Sequence, residues 1–277
     1  MQHPPYTLSV ITDEFSPRLE DGIAFAIEEG LKTVDVRSID AVNFLSLDRP
    51  AQERAAAHIK SAGLTVGCLA TPLLKWPAPG KTAATLGDQF GFDSGGRSTE
   101  QIYRDAFEAA KLLGTRNLRI FSFLTYEGFR IEDLSQDLEL LLKLADEYDA
   151  VLHVENEPVC NIRSVPDLVR LMETWRHPRL RALLDIGNAW WAETRPSEAD
   201  IVAVMPYVSL MHFKDFDEKA RRVVPMGKGD IPFAKLIRLC LEAAKGRTLG
   251  FSLETHVPSR PAEATRESLA GLRACLP

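Results

Sequence analysis

The sequence has no run of basic residues, no CxxC pair and no apolar stretch near the roughly 18 residues needed to cross a bilayer. Each absence excludes a class. Nucleic-acid binders concentrate Lys and Arg on one face, so a chain of 277 residues with a formal net charge of −6 is not expected to have such a partner. Without an apolar span, a membrane partner is not expected either. The four cysteines, Cys68, Cys160, Cys240 and Cys275, are scattered. Three sit in apolar runs and read as buried thiols in a reducing compartment, which points to a cytoplasmic protein. Met1–Pro5 lacks the basic-then-apolar order of a signal peptide. No linker rich in Gly, Pro and Ser interrupts the chain, so residues 1–277 are expected to form one domain.

What the chain does have is 45% hydrophobic residues, enough for a large core, arranged in one repeated rhythm. Short apolar runs at 8–12, 33–36, 64–70, 118–121, 151–155, 180–185, 208–212 and 248–254 read as strands. Segments with helical spacing alternate with them, at 16–30, 50–62, 101–113, 131–148, 165–175, 199–205, 232–244 and 262–275. Ser16-Pro17 reads as the N-cap and first residue of the first helix. Strict alternation implies parallel strands joined by helical crossovers, and eight copies imply a closed (β/α)₈ barrel. An open doubly wound sheet would place a Gly-rich phosphate loop after the first strand, where Asp13-Glu-Phe-Ser-Pro17 stands instead. Two loops, 71–97 and 214–230, exceed the usual length and fall on the C-terminal face, where barrel active sites lie. Both read as lids.

The polar residues that close the last four strands carry the chemistry. Glu155, Asp185, His212 and Glu254 each follow an apolar run, so all four emerge at one rim. A single strand-end carboxylate is often only a helix cap. Four in one register would crowd negative charge into one mouth, and a bound cation relieves that repulsion. Three carboxylates and one imidazole suit Mn²⁺, Mg²⁺, Co²⁺ or Zn²⁺ rather than a thiolate-held structural zinc.

The segments His153-Val-Glu-Asn-Glu-Pro158, Leu184-Asp-Ile-Gly-Asn188, His212-Phe-Lys-Asp215, Val224-Pro-Met-Gly-Lys-Gly-Asp230 and Ser252-Leu-Glu254 resemble the sugar phosphate isomerase/epimerase family of xylose isomerase-like barrels, as do Ile11-Thr-Asp-Glu14 and Val36-Arg37. The resemblance implies metal ligation by the same quartet, with Glu155 and Glu254 acting also as acid and base. It implies a small carbohydrate-like substrate and a homodimer or homotetramer. A proton beside a carbonyl is too weakly acidic for an unaided carboxylate, and a cation on the carbonyl and adjacent hydroxyl stabilises the enediolate that forms. Return of the proton across the face epimerises, return to the neighbouring carbon isomerises, and loss of a β-hydroxyl dehydrates. A dehydratase of an inosose- or dehydroshikimate-like hydroxy ketone is therefore the rival within this site. Apurinic endonucleases share the barrel but resemble histidine-rich three-zinc sites on a basic surface, which six histidines and an acidic balance do not match. The complete quartet argues against a non-catalytic sensor.

Around the quartet, Lys214 is a candidate catalytic residue: it could donate to a substrate oxygen, or protonate a leaving hydroxyl if its pKa is depressed. Arg37, Asn188, Arg222, His256 and Trp76 are candidate substrate-binding residues. Each has a plainer alternative, such as a mouth salt bridge for Arg37, a solvated loop charge for Arg222 or a packing aromatic for Trp76. Asn188 stands where some ketose epimerases carry histidine. His153 reads as a buried support beneath the metal. Glu157 reads as either a partner to that support or a turn cap.

Overall fold

The computed structural model describes residues 6–277, so the reading of Met1–Pro5 lies outside the described residues. Eight strands form the barrel: β1 (Tyr6–Val10), β2 (Thr33–Val36), β3 (Thr65–Leu69), β4 (Asn117–Ile120), β5 (Val151–Glu155), β6 (Leu180–Asp185), β7 (Val208–Phe213) and β8 (Leu249–Leu253). Their order in the sheet is β1-β8-β7-β6-β5-β4-β3-β2, with every pairing parallel. The two ends meet through a parallel bridge between Ile11 and Asp35 and a 2.9 Å hydrogen bond from Ser9 Oγ to Asp35. The chain is a single (β/α)₈ barrel.

The crossover helices are α1 (Leu19–Glu28), α2 (Arg49–Ser61), α3 (Thr99–Leu113), α4 (Ser135–Glu147), α5 (Val165–Thr174), α6 (Glu198–Val204), α7 (Phe233–Ala243) and α8 (Pro261–Cys275). Each buries one face on the sheet. In α4 that face is Leu138, Leu141, Leu142, Leu144 and Ala145, the spacing a half-buried helix requires. Caps fix several starts: Ser164 with Asp167, and Ser197 with Asp200, form reciprocal capping boxes. Among the described residues, no helix is long and apolar enough to cross a membrane. The four cysteines are free, three of them buried.

The structure corrects two details. Ser16-Pro17 does not start a helix; a short helical turn, Thr12–Phe15, intervenes, and α1 begins after Arg18. Ser16 Oγ instead donates to Asp21 at 2.8 Å. The segment 214–230 is not an open loop but holds an antiparallel hairpin, Asp215–Asp217 with Arg222–Val224. The buried Asp215 carboxylate accepts from the backbone N–H of Phe216, Gly227 and Gly229 at 2.8–3.0 Å, pinning the return strand. A Cβ at Gly229 would lie 2.3 Å from that carboxylate, so only glycine fits.

Candidate active site

Alternation along the strands aims one side chain from each late strand at the C-terminal mouth. Glu155 ends β5, Asp185 ends β6, His212 is the penultimate residue of β7 and Glu254 follows β8. All four are buried, and one ligand atom from each lies within 4.8 Å of the others, so the group could hold a metal ion. His212 turns Nδ1 toward Glu155 Oε1 at 3.4 Å and Glu254 Oε2 at 3.5 Å. Three residues of the quartet have a buried atom held only by an ion-pair contact, without a hydrogen bond of good geometry: Glu155 Oε2 near Arg119, Asp185 Oδ2 near Lys214 and His212 Nδ1 between Glu155 and Glu254. A hard-to-borderline divalent ion is the chemistry that three carboxylates and an imidazole would satisfy together.

Asp185 divides its labour. Oδ1 accepts from the backbone N–H of Asn188 at 2.7 Å and caps the short helix Ile186–Trp191, while Oδ2 faces the Lys214 ammonium at 2.6 Å. Lys214 also reaches Glu254 Oε2 at 2.5 Å. Asn188 donates its amide to Glu155 Oε1 at 3.2 Å and to the Asn156 carbonyl at 2.9 Å, which fixes the glutamate. Arg37 is committed to neighbours: Asp13 at 3.0 Å, Glu14 at 2.6 Å and Glu254 at 3.2 Å. Its Nη1 lies 3.2 Å from His256 Nε2, and His256, partly exposed, reaches the mouth.

These contacts set the charge states. Burial disfavours a charged His212, but Glu155 and Glu254 overcome it and push its pKa up to about 10. Burial raises Asp185 to about 7 despite Lys214. Glu254 is buried too, yet Lys214, His256 and His212 hold it well below the ordinary carboxylate value. For Lys214, burial works against the charge, but Asp185 and Glu254 raise its pKa. His153 is buried beneath the quartet on β5, its Nε2 3.0 Å from Asn117 Oδ1, and burial pushes it down to about 3.

Two expected substrate contacts are not brought to this site. Arg222 is exposed on the outer hairpin, opposite Asp217. Trp76 packs on Phe92 and Tyr103, with ring centroids 6.1 and 6.5 Å away. The aromatic over the mouth is Phe90, from the same loop. Its ring lies 4.1 Å from the Arg37 guanidinium, 4.9 Å from Lys75 Nζ and 5.6 Å from the Arg119 guanidinium. Glu157 is bound by Lys75 at 3.1 Å, as a salt-bridge partner rather than a turn cap. Arg119 was not read from the sequence at all. It is almost fully buried on β4, with Nη1 3.0 Å from Glu254 Oε1 and 3.3 Å from Glu155 Oε2. Its signal is an arginine inside the apolar run Leu118-Arg-Ile-Phe121, where a charge is tolerated only with a partner.

Comparison with curated proteins gives no match. Solved structures share the fold at low sequence identity. The chain is similar to the IolI protein solved with a bound zinc atom (TM-score 0.74, 13% identity, 97% of each chain covered). It is similar to 3-keto-D-glucoside 4-epimerase, YcjR, from E. coli (0.71, 16%, 99% of this chain and 100% of that one). A third likeness is to the probable 3-DHS dehydratase AsbF from Bacillus anthracis (0.69, 17%, 95% and 98%). The family model of the xylose isomerase-like TIM barrel matches residues 23–275, and the chain belongs to that family.

Proposed function

We propose that the chain is a divalent-metal-dependent isomerase or epimerase that moves a proton next to the carbonyl of a small sugar, sugar phosphate or sugar acid. One observation carries this reading: Glu155, Asp185, His212 and Glu254 converge, buried, with one ligand atom of each within 4.8 Å of the others. When bound there, a divalent ion supplies Lewis acidity toward a substrate carbonyl and the hydroxyl beside it.

The chain's own residues divide the proton work unequally. Glu254 is held ionised by Lys214, Arg37 and Arg119, so it is the weaker base. Glu155 has looser partners in Asn188 at 3.2 Å and Arg119 at 3.3 Å. Glu155 takes the proton from carbon, and Glu254 stands across the mouth as its counterpart. Lys214 keeps its proton in this setting and donates a hydrogen bond to a substrate oxygen. Dehydration needs an acid that gives its proton to the leaving hydroxyl, and the ammonium of Lys214, held between Asp185 and Glu254, is the group placed to supply it. His256 and Asn188 contact the substrate's remaining hydroxyls, and Phe90 excludes water above them. The similarity to a probable dehydratase makes dehydration of a hydroxy ketone the second reading.

Incubation of the Mn²⁺-loaded protein with a panel of ketoses and keto sugar acids in D₂O tests both. Deuterium entering the carbon beside the carbonyl, in a product that has lost no water, supports the isomerase or epimerase. An unsaturated product establishes the dehydratase instead. Glu155→Gln is expected to lower the exchange rate by about 10²–10⁴-fold, and a variant as fast as wild type would remove Glu155 from the mechanism.

A further inference from the structure

Closed barrels are usually filled by layers of branched apolar side chains. Below the quartet this barrel is not. The side chains there are small or polar, including Ser9, Asp35, Gly67, Asn117 and Ser252, and they line a partly open cavity of about 260 Å³. The cavity runs from His212 toward the strand starts at Thr33 and Thr248.

One buried atom of its wall, Nε2 of His212, has no protein hydrogen-bond partner, and Ser252 Oγ, which turns toward Asp35, has none of good geometry. His212 and Ser252 are 1% and 4% exposed. Because Nδ1 of the same ring faces Glu155 and Glu254, Nε2 is the nitrogen left to be satisfied from below. Asp35, also buried, accepts from Ser9 Oγ at 2.9 Å and from the Cys68 N–H at 2.8 Å. A carboxylate has about four acceptor positions, so even with Ser252 turned toward it one is left for a further donor. A polar cavity this size holds water readily, since a water occupies about 30 Å³ in the liquid. A histidine that ligates a metal donates its other ring N–H to a carboxylate, a carbonyl or a water, which fixes the tautomer.

We propose that Asp35 is a positioning residue for His212, acting through a water in this cavity. The water accepts the Nε2–H of His212 and the hydroxyl proton of Ser252, and donates to the Asp35 carboxylate. That arrangement keeps the lone pair on Nδ1, toward the quartet. The inference rests on the reading that the quartet binds a divalent ion.

Zn²⁺ alone is the probe, because it is diamagnetic and serves both calorimetry and ¹⁵N NMR. In Asp35→Asn, the side-chain oxygen stays committed to the Cys68 N–H and an amide donor replaces the acceptor. The expected result is Zn²⁺ binding weaker by about 10–100-fold, with the His212 Nε2 resonance of the zinc-loaded variant displaced from its wild-type position. Ser252→Val removes the hydroxyl donor, sets methyl groups against the water's place beside His212 Nε2 and is expected to weaken binding in the same direction. A purely structural Asp35 would lower the melting temperature of the metal-free protein and leave both readouts unmoved. Folded variants that bind Zn²⁺ as tightly as wild type with unchanged imidazole shifts overturn the inference, and Ser252→Val decides alone if Asp35→Asn does not fold. A wild-type chain that binds no Zn²⁺ overturns the quartet reading as well, so the two failures are distinguishable.

Discussion

His212 sits between two carboxylates that want it charged, and a metal ion wants it neutral. With its pKa raised to about 10, it is protonated at neutral pH in the metal-free protein. Asp185, raised to about 7, is partly protonated there. Metal binding must expel these protons, so affinity rises with pH through both values. Calorimetry in buffers of different ionisation enthalpy should show about two protons released per ion at pH 6 and about one at pH 8. A release independent of pH would mean that the ion binds elsewhere. Arg119 supports the same group by charge. Arg119→Met leaves Glu155 and Glu254 facing each other without their shared cation, and removing one partner of a buried pair costs about 3–5 kcal/mol. Urea unfolding of the metal-free variant measures that loss; Arg119→Lys should recover part of it. At this scale the sequence was legible only where a polar residue ended a strand. The quartet obeyed that rule. Arg119 did not, because the apolar run continues past it through Ile120 and Phe121 and hides it inside the strand. Asp35 and Ser252 were illegible as a pair, because only closure of the barrel brings β2 and β8 to the same cavity.

Among the elements, the segment between β3 and α3 decides what covers the site. Its length and its place on the C-terminal face mark it as a lid, yet neither says which aromatic faces inward. Trp76 was the natural choice, but its backbone runs beside the chain after β4, with Leu124 N–H bonded to the Trp76 carbonyl at 3.1 Å. Phe90 reaches the mouth because the chain turns there. It has a positive φ of 55°, and its N–H is held by Asp88 Oδ1 at 2.7 Å. A bulky residue in that region is strained by about 1–3 kcal/mol, so the turn persists only while its surroundings hold it. The next residue supplies that hold. Gly91 (φ 71°) accepts from the Asn43 N–H at 3.1 Å, and a Cβ there would lie 1.9 Å from the Ala41 carbonyl oxygen. Gly91→Ala should therefore release the turn and lift Phe90 without disturbing the barrel. The expected outcome is a KM raised by about 10-fold, about 1.4 kcal/mol of lost binding, with the urea midpoint nearly unchanged. Phe90→Ala should match it in KM. A Gly91→Ala enzyme with wild-type KM would show that the loop does not act as a cover.

The quartet belongs to four neighbouring strands, β5 to β8, which make up half of the barrel wall. In the unfolded chain Glu155 and Glu254 are separated by 99 residues, so no comparable site exists there, and an ion that binds only the folded state stabilises the whole molecule by mass action. At an ion concentration of 100 times Kd the gain is about 2.7 kcal/mol. For a chain of this length, 1 kcal/mol moves the melting temperature by about 2–4 °C, so the expected rise is roughly 5–10 °C, reversed by chelator. The alternation of strands and helices makes the barrel readable in the sequence. It also carried this thermal prediction, because strand order in a closed barrel makes sequential strand ends spatial neighbours. His212→Ala removes the one nitrogen ligand and leaves the fold's other contacts in place, so its melting temperature should no longer respond to the ion. If His212→Ala keeps the full shift, the stabilising ion binds outside the quartet, and the mouth of this barrel must owe its buried carboxylates to Lys214, Arg37 and Arg119 alone.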